Sequence, residues 1–211
     1  ILATRRAVIR VLIVVGDSRT IEHEILQEFK VMEGNNFDFK VVHVNPNTDN
    51  FGNPKAVKLS SVDLSQFDIL WFTWNGPAHD REYFVADADA LIRNFVAQGG
   101  VVWASAMDDN IVEGKGWRGT WMPVDRHPIR VINSSDSGVL ITALGNTSGL
   151  FSQPHRIDVD ALVTDDHWVT NDKAYQHLAV RKDNGDPVGI QLRWGAGYYV
   201  AFAVDTRDRP K

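Results

Sequence analysis

Short uncharged apolar runs alternate with amphipathic segments in the first half of the chain. Residues 101–105 lie between a double glycine and a pair of aspartates and carry no charge. Such a run is typical of a strand buried on both faces at the centre of a parallel sheet. Before it, apolar residues recur at helical spacing over about 81–98, including Leu91, and Gly99-Gly100 supplies residues that end a helix. We therefore predict a helix that leads directly into a central strand.

The same pattern occurs earlier in the chain. The predicted earlier elements are strands at 10–15, 39–45 and 67–74 and a helix at about 21–32. Residues 46–63 are rich in Asn, Pro, Gly and Ser, which predicts a long loop. The order β-α-β-β-α-β favours parallel strands with helices between them. We therefore predict an α/β fold, namely a three-layer, flavodoxin-like sheet that is mostly parallel.

The pattern changes beyond Asp109. Residues 113–125 are predicted to be loop-like and 145–177 mostly irregular. In the last third of the chain, strand-like apolar runs flank an Asp-Asn-Gly-Asp turn. This pattern predicts a C-terminal antiparallel hairpin. The predicted strands of this half are 129–133, 139–142, the hairpin pair 178–182 and 187–192, and a final buried strand at 198–205.

Composition narrows the class of protein. The 211 residues are enough for one substantial domain and few for two, and the net charge of −5 without a Lys/Arg cluster argues against nucleic acid as a partner. No apolar run approaches the roughly 20 residues that span a bilayer. The chain starts at Ile1 without a signal-peptide pattern and stops soon after a strand-like run. We expect a single domain, 1–211, taken from a larger protein, and the sequence leaves its compartment open.

The chain contains no cysteine, which excludes disulfides, thiolate metal sites and a cysteine nucleophile. We expect neither a resident metal nor a cofactor.

The candidate site follows the ends of the predicted parallel strands, where α/β sheets bind ligands. Ser105 ends the central strand among small residues and is a candidate nucleophile, if a base lies within hydrogen-bond reach. Its flanks lack the Gly-x-Ser-x-Gly frame, so a small residue in a tight turn is the simpler interpretation. His79 follows the third strand and is the best-placed histidine for acid–base chemistry, with an exposed loop histidine as the alternative. The candidate ligand-binding residues after the same strands are Asp17, Trp74, Asn75, Asp108 and Asp109.

Other interpretations of these residues stay open. Asp108 and Asp109 are suited to sugar hydroxyls or a divalent cation, although adjacent residues seldom chelate together and helix capping is the simpler interpretation. A second His/Asp-rich region lacks a recognised zinc spacing and is typical of solvated surface. That region comprises His155, Asp158, Asp160 and 165–168. Trp74, Trp117 and Trp121 are hypothesised to form a stacking platform for a sugar at the rim of the site.

Several short motifs occur in a familiar order. They are Gly16-Asp17 after the first strand, Phe67–Trp71, Gly99-Gly100 and Trp194-Gly195-Ala196-Gly197-Tyr198. In this order and spacing the chain resembles the class I glutamine-amidotransferase-like fold. Within that fold it is most similar to the trehalose-utilisation (ThuA-like) branch and to the related middle domain of β-galactosidases.

The chain departs from these families at chemically important positions. Glutamine amidotransferases carry a cysteine at the turn where this chain has Ala104-Ser105. ThuA-like proteins carry a histidine at the position of Ser105, followed by an aspartate to which Asp109 could correspond. Their terminal Gly-His is here replaced by 204–206, Val-Asp-Thr. The resemblance therefore implies the scaffold without amidotransferase activity.

Three hypotheses about function, from different classes, follow. The leading hypothesis is a ThuA-like domain that binds a carbohydrate or another small molecule, or that serves as an accessory or assembly module. The alternative is a hydrolase of a sugar derivative that uses His79 with crevice aspartates, assisted by a metal if one is present. A purely structural domain is the third hypothesis. The expected partners are the small ligand, a second copy of the chain, or neighbouring domains of a longer chain.

Overall fold

The computed structural model describes residues 8–15, 37–44, 57–72, 88–104, 117–118, 129–152, 156–170 and 172–203. The strands are β1 Ile9–Val15, β2 Phe37–His43, β3 Ile69–Phe72, β4 Val101–Ala104, β5 Trp117–Arg118, β6 Ile129–Ile141, β7 Val163–Val169, β8 Gln176–Arg181, β9 Pro187–Trp194 and β10 Gly197–Phe202. The helices are α1 Asp89–Ala97 and α2 Ala143–Ser148, and 3-10 turns lie at Leu59–Ser61, Leu64–Gln66 and Val159–Ala161.

The strands form one sheet in the order β2-β1-β3-β4-β10-β9-β8-β6-β5, with β7 also paired to β6. The first five strands in this order are parallel and have the flavodoxin-like arrangement. β4 lies between β3 and β10, so the prediction of a central parallel strand is confirmed. Its side chains alternate: Val102 and Ala104 are buried, whereas Val101 and Trp103 are half-buried. The prediction of burial on both faces therefore holds only in part.

The prediction of a mostly parallel sheet is wrong. Among the strand pairings that the structure describes, four are parallel and five antiparallel. The reason is the second half of the chain, where short turns at 182–186 and 195–196 join neighbouring strands. Such turns permit only antiparallel pairing, because a parallel neighbour requires a long crossover. The predicted hairpin of β8 with β9 is confirmed.

Residues 129–169 are more regular than predicted. The two expected short strands are one strand, β6, and the segment predicted to be irregular contains α2 and β7. Ile132 pairs with Asp166 and Ser137 with Thr164, so residues 133–136 form a bulge opposite a single residue of β7. The polar bulge interrupts the apolar alternation, which explains why the sequence pattern split the strand in two.

Helix α1 ends as the sequence predicts. The N–H groups of Gly99 and Gly100 donate to the carbonyls of Val96 and Phe95 at 3.0 and 3.1 Å, and Gly99 has φ 110°. Its Ile92, Phe95 and Val96 are buried, whereas Leu91, predicted on the same face, is exposed. The start of the predicted helix and the predicted helix at 21–32 lie outside the described residues. The described part of the predicted loop, residues 57–63, contains the 3-10 turn Leu59–Ser61.

Apolar side chains cover both faces of the sheet. On one face Ile92 and Phe95 of α1 share a buried cluster with Phe72 and Tyr199. On the other face Val200 and Phe202 cluster with Phe151, and Leu144 of α2 packs against them. The described part of the fold is therefore an α/β sheet with few helices. No helix within the described ranges is long and apolar enough to cross a membrane.

Candidate functional site

Four parallel strands end side by side at one edge of the sheet, which we call the carboxyl edge. The register joins Phe72 of β3 to Val14 of β1 and to Ala104 of β4, and Ala104 to Ala201 of β10. From β1 the chain passes to β2 on one side, whereas β3 lies on the other side. This reversal is the topological switch point of a doubly wound sheet, and ligands bind in the crevice outside the strand ends there.

The residues just inside the carboxyl edge are buried and, on two strands, small. Ala104 ends β4, and Ala201 and Ala203 lie at the end of β10; each is at most 1% exposed. Alanine side chains fill little volume. All three side chains belong to the buried cluster that also contains Phe72 and Ile92.

All seven predicted site residues lie outside the described residues. They are Ser105, His79, Asp17, Trp74, Asn75, Asp108 and Asp109. Their positions in the chain relate them to the strands that are described: Asp17 follows β1, the residues at 74–79 follow β3, and Ser105 directly follows Ala104. These strands are neighbours in the sheet. The strand order is thus compatible with a shared site, and the roles of the residues stay predictions.

Helix α1 begins towards the carboxyl edge, because it connects the parallel strands β3 and β4 and runs opposite to them. Ala88, the residue at its start, has no side chain that could cap the first turn, and Asp89 follows. The exposed N–H groups of a helix start favour negative charge, so the carboxylate of Asp89 stabilises this end.

A second group of polar side chains surrounds the β8–β9 turn. We call it the hairpin cluster and define it as Thr164, His167, Arg181, Asp183 and Asp186. Arg181 is 1% exposed, and its guanidinium donates to the carbonyl of Thr164 and to Asp183 Oδ2, both at 2.8 Å. His167 Nε2 lies 3.7 Å from Asp186 Oδ2. A buried arginine with several acceptors is electrostatically satisfied.

The hairpin cluster contacts the end of β10. Thr164 Oγ1 donates to the carbonyl of Ala203 at 2.8 Å, and Ala203 N–H donates to Val188 of β9 at 2.8 Å. Since β9 is antiparallel to β10, the turn that precedes β9 lies at the carboxyl edge as well. The hairpin cluster therefore occupies the same edge of the sheet as the predicted site, on its antiparallel side.

Charge and burial set the protonation of this cluster. The hydrogen bonds from Arg181 lower the pKa of Asp183 to about 2. Burial lowers the pKa of His167, and the nearby Asp186 carboxylate only partly offsets this. His167 is therefore neutral at pH 7, while Asp183 is ionised.

Arg181 has a structural role. Nη1 donates to Thr164 of β7, Nη2 to Ser135 in the bulge of β6, and Nε to Asp183. The guanidinium thus joins three strands and offers little donor capacity to a ligand. Arg181 was not among the residues predicted from the sequence; its signal was a lone arginine at the end of a strand, followed by two aspartates in the turn.

The described residues of the second His/Asp-rich region have structural roles. Asp158 Oδ1 accepts from Asp160 N–H at 3.2 Å and starts a 3-10 turn, and Asp160 Oδ1 accepts from Lys182 Nζ at 3.0 Å. Residues 165–168 belong to β7 and include buried side chains, so their assignment to solvated surface is wrong. His155 lies outside the described residues. Within those residues, no group of three or more His, Cys, Asp or Glu side chains is arranged to hold a metal.

The hypothesised tryptophan platform is only partly described. Trp117 is in β5, where its backbone pairs with Arg130 of β6. Trp74 and Trp121 lie outside the described residues. The platform stays a prediction.

No protein-family model and no curated protein matches the chain. Solved structures do match over nearly its whole length. A cytoplasmic protein of Salmonella typhimurium LT2 is 16% identical, with 93% of this chain and 88% of that chain covered and a TM-score of 0.58. A ThuA-like protein of Parabacteroides merdae is 11% identical, with 93% and 79% covered and a TM-score of 0.54. The fold is shared with these proteins.

A larger protein contains the same fold as one part. The GH42 β-galactosidase Gan42B of G. stearothermophilus is 12% identical to this chain, with a TM-score of 0.51. The match covers 95% of this chain but only 28% of the β-galactosidase. At these identities the likeness concerns the fold alone.

Proposed function

We propose that this chain is a ThuA-like domain of the class I glutamine-amidotransferase-like superfamily that binds a carbohydrate or a similar small ligand. The proposed site is the crevice at the carboxyl edge between β1 and β3. The observation that carries the proposal is the strand order, which makes this the topological switch point of the sheet.

The residue types that follow these strands suit a polyhydroxylated ligand. The Asp17 carboxylate accepts hydrogen bonds from hydroxyl groups, and the Asn75 amide both accepts and donates them. The indole of Trp74 offers an apolar face and one polar N–H. These three residues follow β1 and β3 in the sequence, on the two sides of the switch point. Likeness in fold to a ThuA-like protein and to β-galactosidases supports the proposed class of ligand.

Amide transfer from glutamine is not part of the proposal. The superfamily's amidotransferases use a cysteine nucleophile, and this chain has none. Serine at position 105 is a poor substitute unless a neighbouring base activates it, since its hydroxyl is unreactive at its free pKa. Binding without amide transfer is therefore the function that the residues support best.

Titration calorimetry with galactose, glucose and trehalose tests the proposal. We expect binding to at least one of them, and we expect Asp17→Ala and Asn75→Ala each to raise its Kd about tenfold, the effect of losing one or two ligand hydrogen bonds. Matched controls are Asp136→Ala and Asn146→Ala, at exposed positions on β6 and α2. Absence of binding at millimolar concentrations of all three sugars, or equal losses in the controls, would refute the proposal.

Hydrolysis of a sugar derivative is the second candidate, and the β-galactosidase neighbours are the observation behind it. This chain matches only 28% and 29% of their lengths, so the activity of those whole proteins is not carried over to it. Release of nitrophenol from nitrophenyl galactosides by the wild-type chain, lost in His79→Ala with unchanged stability, would establish the hydrolase. Equal activity in His79→Ala would exclude His79 as its acid or base.

A further inference from the structure

The turn between β8 and β9 contains an Asn-Gly pair, Asn184-Gly185, and both residues are exposed. In such a pair the backbone nitrogen of the glycine can attack the side-chain carbonyl of the asparagine, because glycine has no Cβ atom to hinder the approach. Asparagine is for this reason among the chemically labile residues of proteins. A second pair, Asn75-Gly76, lies outside the described residues. The structure therefore shows the surroundings of one such asparagine, Asn184.

The reaction that this pair permits is deamidation. An amide nitrogen is a weak nucleophile until a base removes its proton. The deprotonated Gly185 nitrogen forms a bond to Cγ of Asn184 while the bond from Cγ to Nδ2 breaks. The Nδ2 group takes up a proton and leaves as ammonia, so a cyclic imide remains. Water then opens the imide at one of its C–N bonds and leaves aspartate or isoaspartate at position 184. Solvent water is the only co-reactant, and nothing is oxidised or reduced.

The closed turn opposes the first step at the attacking nitrogen. Gly185 N–H donates to the Arg181 carbonyl at 3.1 Å, and Arg181 N–H donates to the Asp186 carbonyl at 2.8 Å. A hydrogen-bonded amide proton is protected from base until the local structure opens, as hydrogen exchange shows. The Gly185 nitrogen therefore becomes reactive only when the turn opens.

The side chain under attack is held as well. Asn184 Nδ2 donates to Asp186 Oδ2 at 2.8 Å, and Asn184 Oδ1 accepts from Asp186 N–H at 2.9 Å. The first of these bonds is charge-assisted and is therefore stronger than a neutral one. It must break before Nδ2 can leave as ammonia. Asp186 thus stabilises the intact amide through both of its polar atoms.

We propose that Asn184 is a site of spontaneous deamidation and that Asp186 keeps the reaction slow while the β8–β9 turn is closed. The aspartate product would carry a carboxylate oxygen where Nδ2 now lies, 2.8 Å from Asp186 Oδ2, so two like charges would replace a hydrogen bond. Asp186 Oδ2 also lies 3.7 Å from His167 Nε2, so the new charge would enter the hairpin cluster. Deamidation would therefore weaken the turn that joins β8 to β9.

Mass spectrometry of tryptic peptides measures the rate at this site during incubation in mildly alkaline buffer. Cleavage after Lys182 and Arg193 isolates residues 183–193, which contain Asn184 and no other asparagine. We expect slow conversion in the folded wild-type chain and conversion about tenfold or more faster in urea, where the turn is open. Asp186→Ala removes the carboxylate that holds the amide. It should raise the rate in the folded chain about tenfold, the effect of losing one charge-assisted hydrogen bond.

Two control variants separate the hydrogen bond from the charge. Asp186→Asn keeps an acceptor at the same position and should return the rate towards the wild-type value. The asparagine introduced there precedes Pro187, whose nitrogen carries no hydrogen and cannot react in this way. Asp136→Ala removes the same charge at an exposed position on β6 and should leave the rate unchanged.

The unfolded chain provides an internal comparison. Asn146 is followed by the β-branched Thr147 instead of a glycine, so its conversion in urea should be slower than that of Asn184. The proposal is overturned if Asn184 stays intact in urea, if folding does not slow its conversion, or if Asp186→Ala leaves the folded rate unchanged. The comparison of folded and unfolded wild type decides the matter even where Asp186→Ala fails to fold.

Discussion

Arg181 and Asp183 are joined by two charge-assisted hydrogen bonds, from Nε to Oδ1 at 3.1 Å and from Nη2 to Oδ2 at 2.8 Å. The same guanidinium donates to the carbonyls of Thr164 and Ser135, each at 2.8 Å. The pair therefore connects the β8–β9 turn to β7 and to the bulge of β6. Because Arg181 is buried, its removal would leave acceptors without their donor.

Replacing Arg181 by methionine is expected to destabilise the protein by about 2–3 kcal/mol, because the Thr164 and Ser135 carbonyls would lose a charged donor. Urea unfolding followed by circular dichroism measures the change. The matched control is Arg193→Met, at an exposed position on β9, which should change stability by less than about 0.5 kcal/mol. Equal losses in the two variants would show that the buried hydrogen bonds do not support the bulge.

His167 should make the protein less stable in mild acid. Burial lowers its folded-state pKa below the ordinary 6.5, so the unfolded chain binds the proton more readily. Above about pH 6.5 His167 is neutral in both states and does not reduce the free energy of unfolding. As the pH falls below this value, the free energy of unfolding decreases by at most about 1.4 kcal/mol per pH unit. Urea unfolding of the wild type and of His167→Gln at pH 7.5, 6.5 and 5.5 should show a shallower slope in the variant.

The exposed His177 on β8 provides the control for this experiment. His177→Gln should leave the slope at its wild-type value. If His167→Gln keeps the full acid dependence, the sensitivity belongs to other groups, and neutral burial of His167 is not its cause.

Gly197 begins β10 against the turn between α1 and β4. A Cβ atom there would collide with the backbone carbonyls of Val96 and Gly100, which cannot move aside as a flexible side chain can. We expect Gly197→Ala to cost about 2–3 kcal/mol, measured by urea unfolding. The control is Gly185→Ala, where φ is +80° and the added methyl meets open space. Its cost should be about 1 kcal/mol, from the left-handed backbone alone. Equal costs would mean that the α1–β4 turn yields to the methyl group.

The sequence predicts the elements whose pattern is local. The run 101–104, the double glycine after α1 and the turn of the β8–β9 hairpin each carry their signal within a few residues, and the structure contains all three. The flavodoxin-like order of the parallel strands also follows from the sequence, because helical crossovers leave few ways to arrange parallel strands.

The elements that the sequence does not predict depend on distant contacts. β7 carries the polar run 164–167, and the extra residues at 133–136 break the alternation of β6. Arg181, which holds this bulge, is buried only because acceptors from two other strands and from the β8–β9 turn surround it. No local pattern encodes that arrangement. The sequence pattern therefore predicts too few residues in antiparallel strands.

The candidate site is predictable at the level of strand ends and no further. Connectivity predicts that the residues after β1, β3 and β4 belong to one edge, and the strand order agrees. The side-chain positions of Asp17, His79 and Ser105 depend on the turns that directly follow the strands, and no periodic pattern specifies the conformation of such turns.

Tyr199 presents a buried hydroxyl in the middle of β10. The residue is 0% exposed, and in the described structure its hydroxyl has no hydrogen-bond partner. Burial raises its pKa, so the phenol stays protonated at all physiological pH values. A buried polar group without a partner costs about 1–3 kcal/mol, so Tyr199→Phe is expected to stabilise the protein by about 1 kcal/mol in urea unfolding. The neighbouring Tyr198 is half-buried on the other face, and Tyr198→Phe should change stability by less than about 0.5 kcal/mol. Destabilisation by Tyr199→Phe would instead show that the hydroxyl has a hydrogen-bond partner, either a buried water or a residue outside the described ranges.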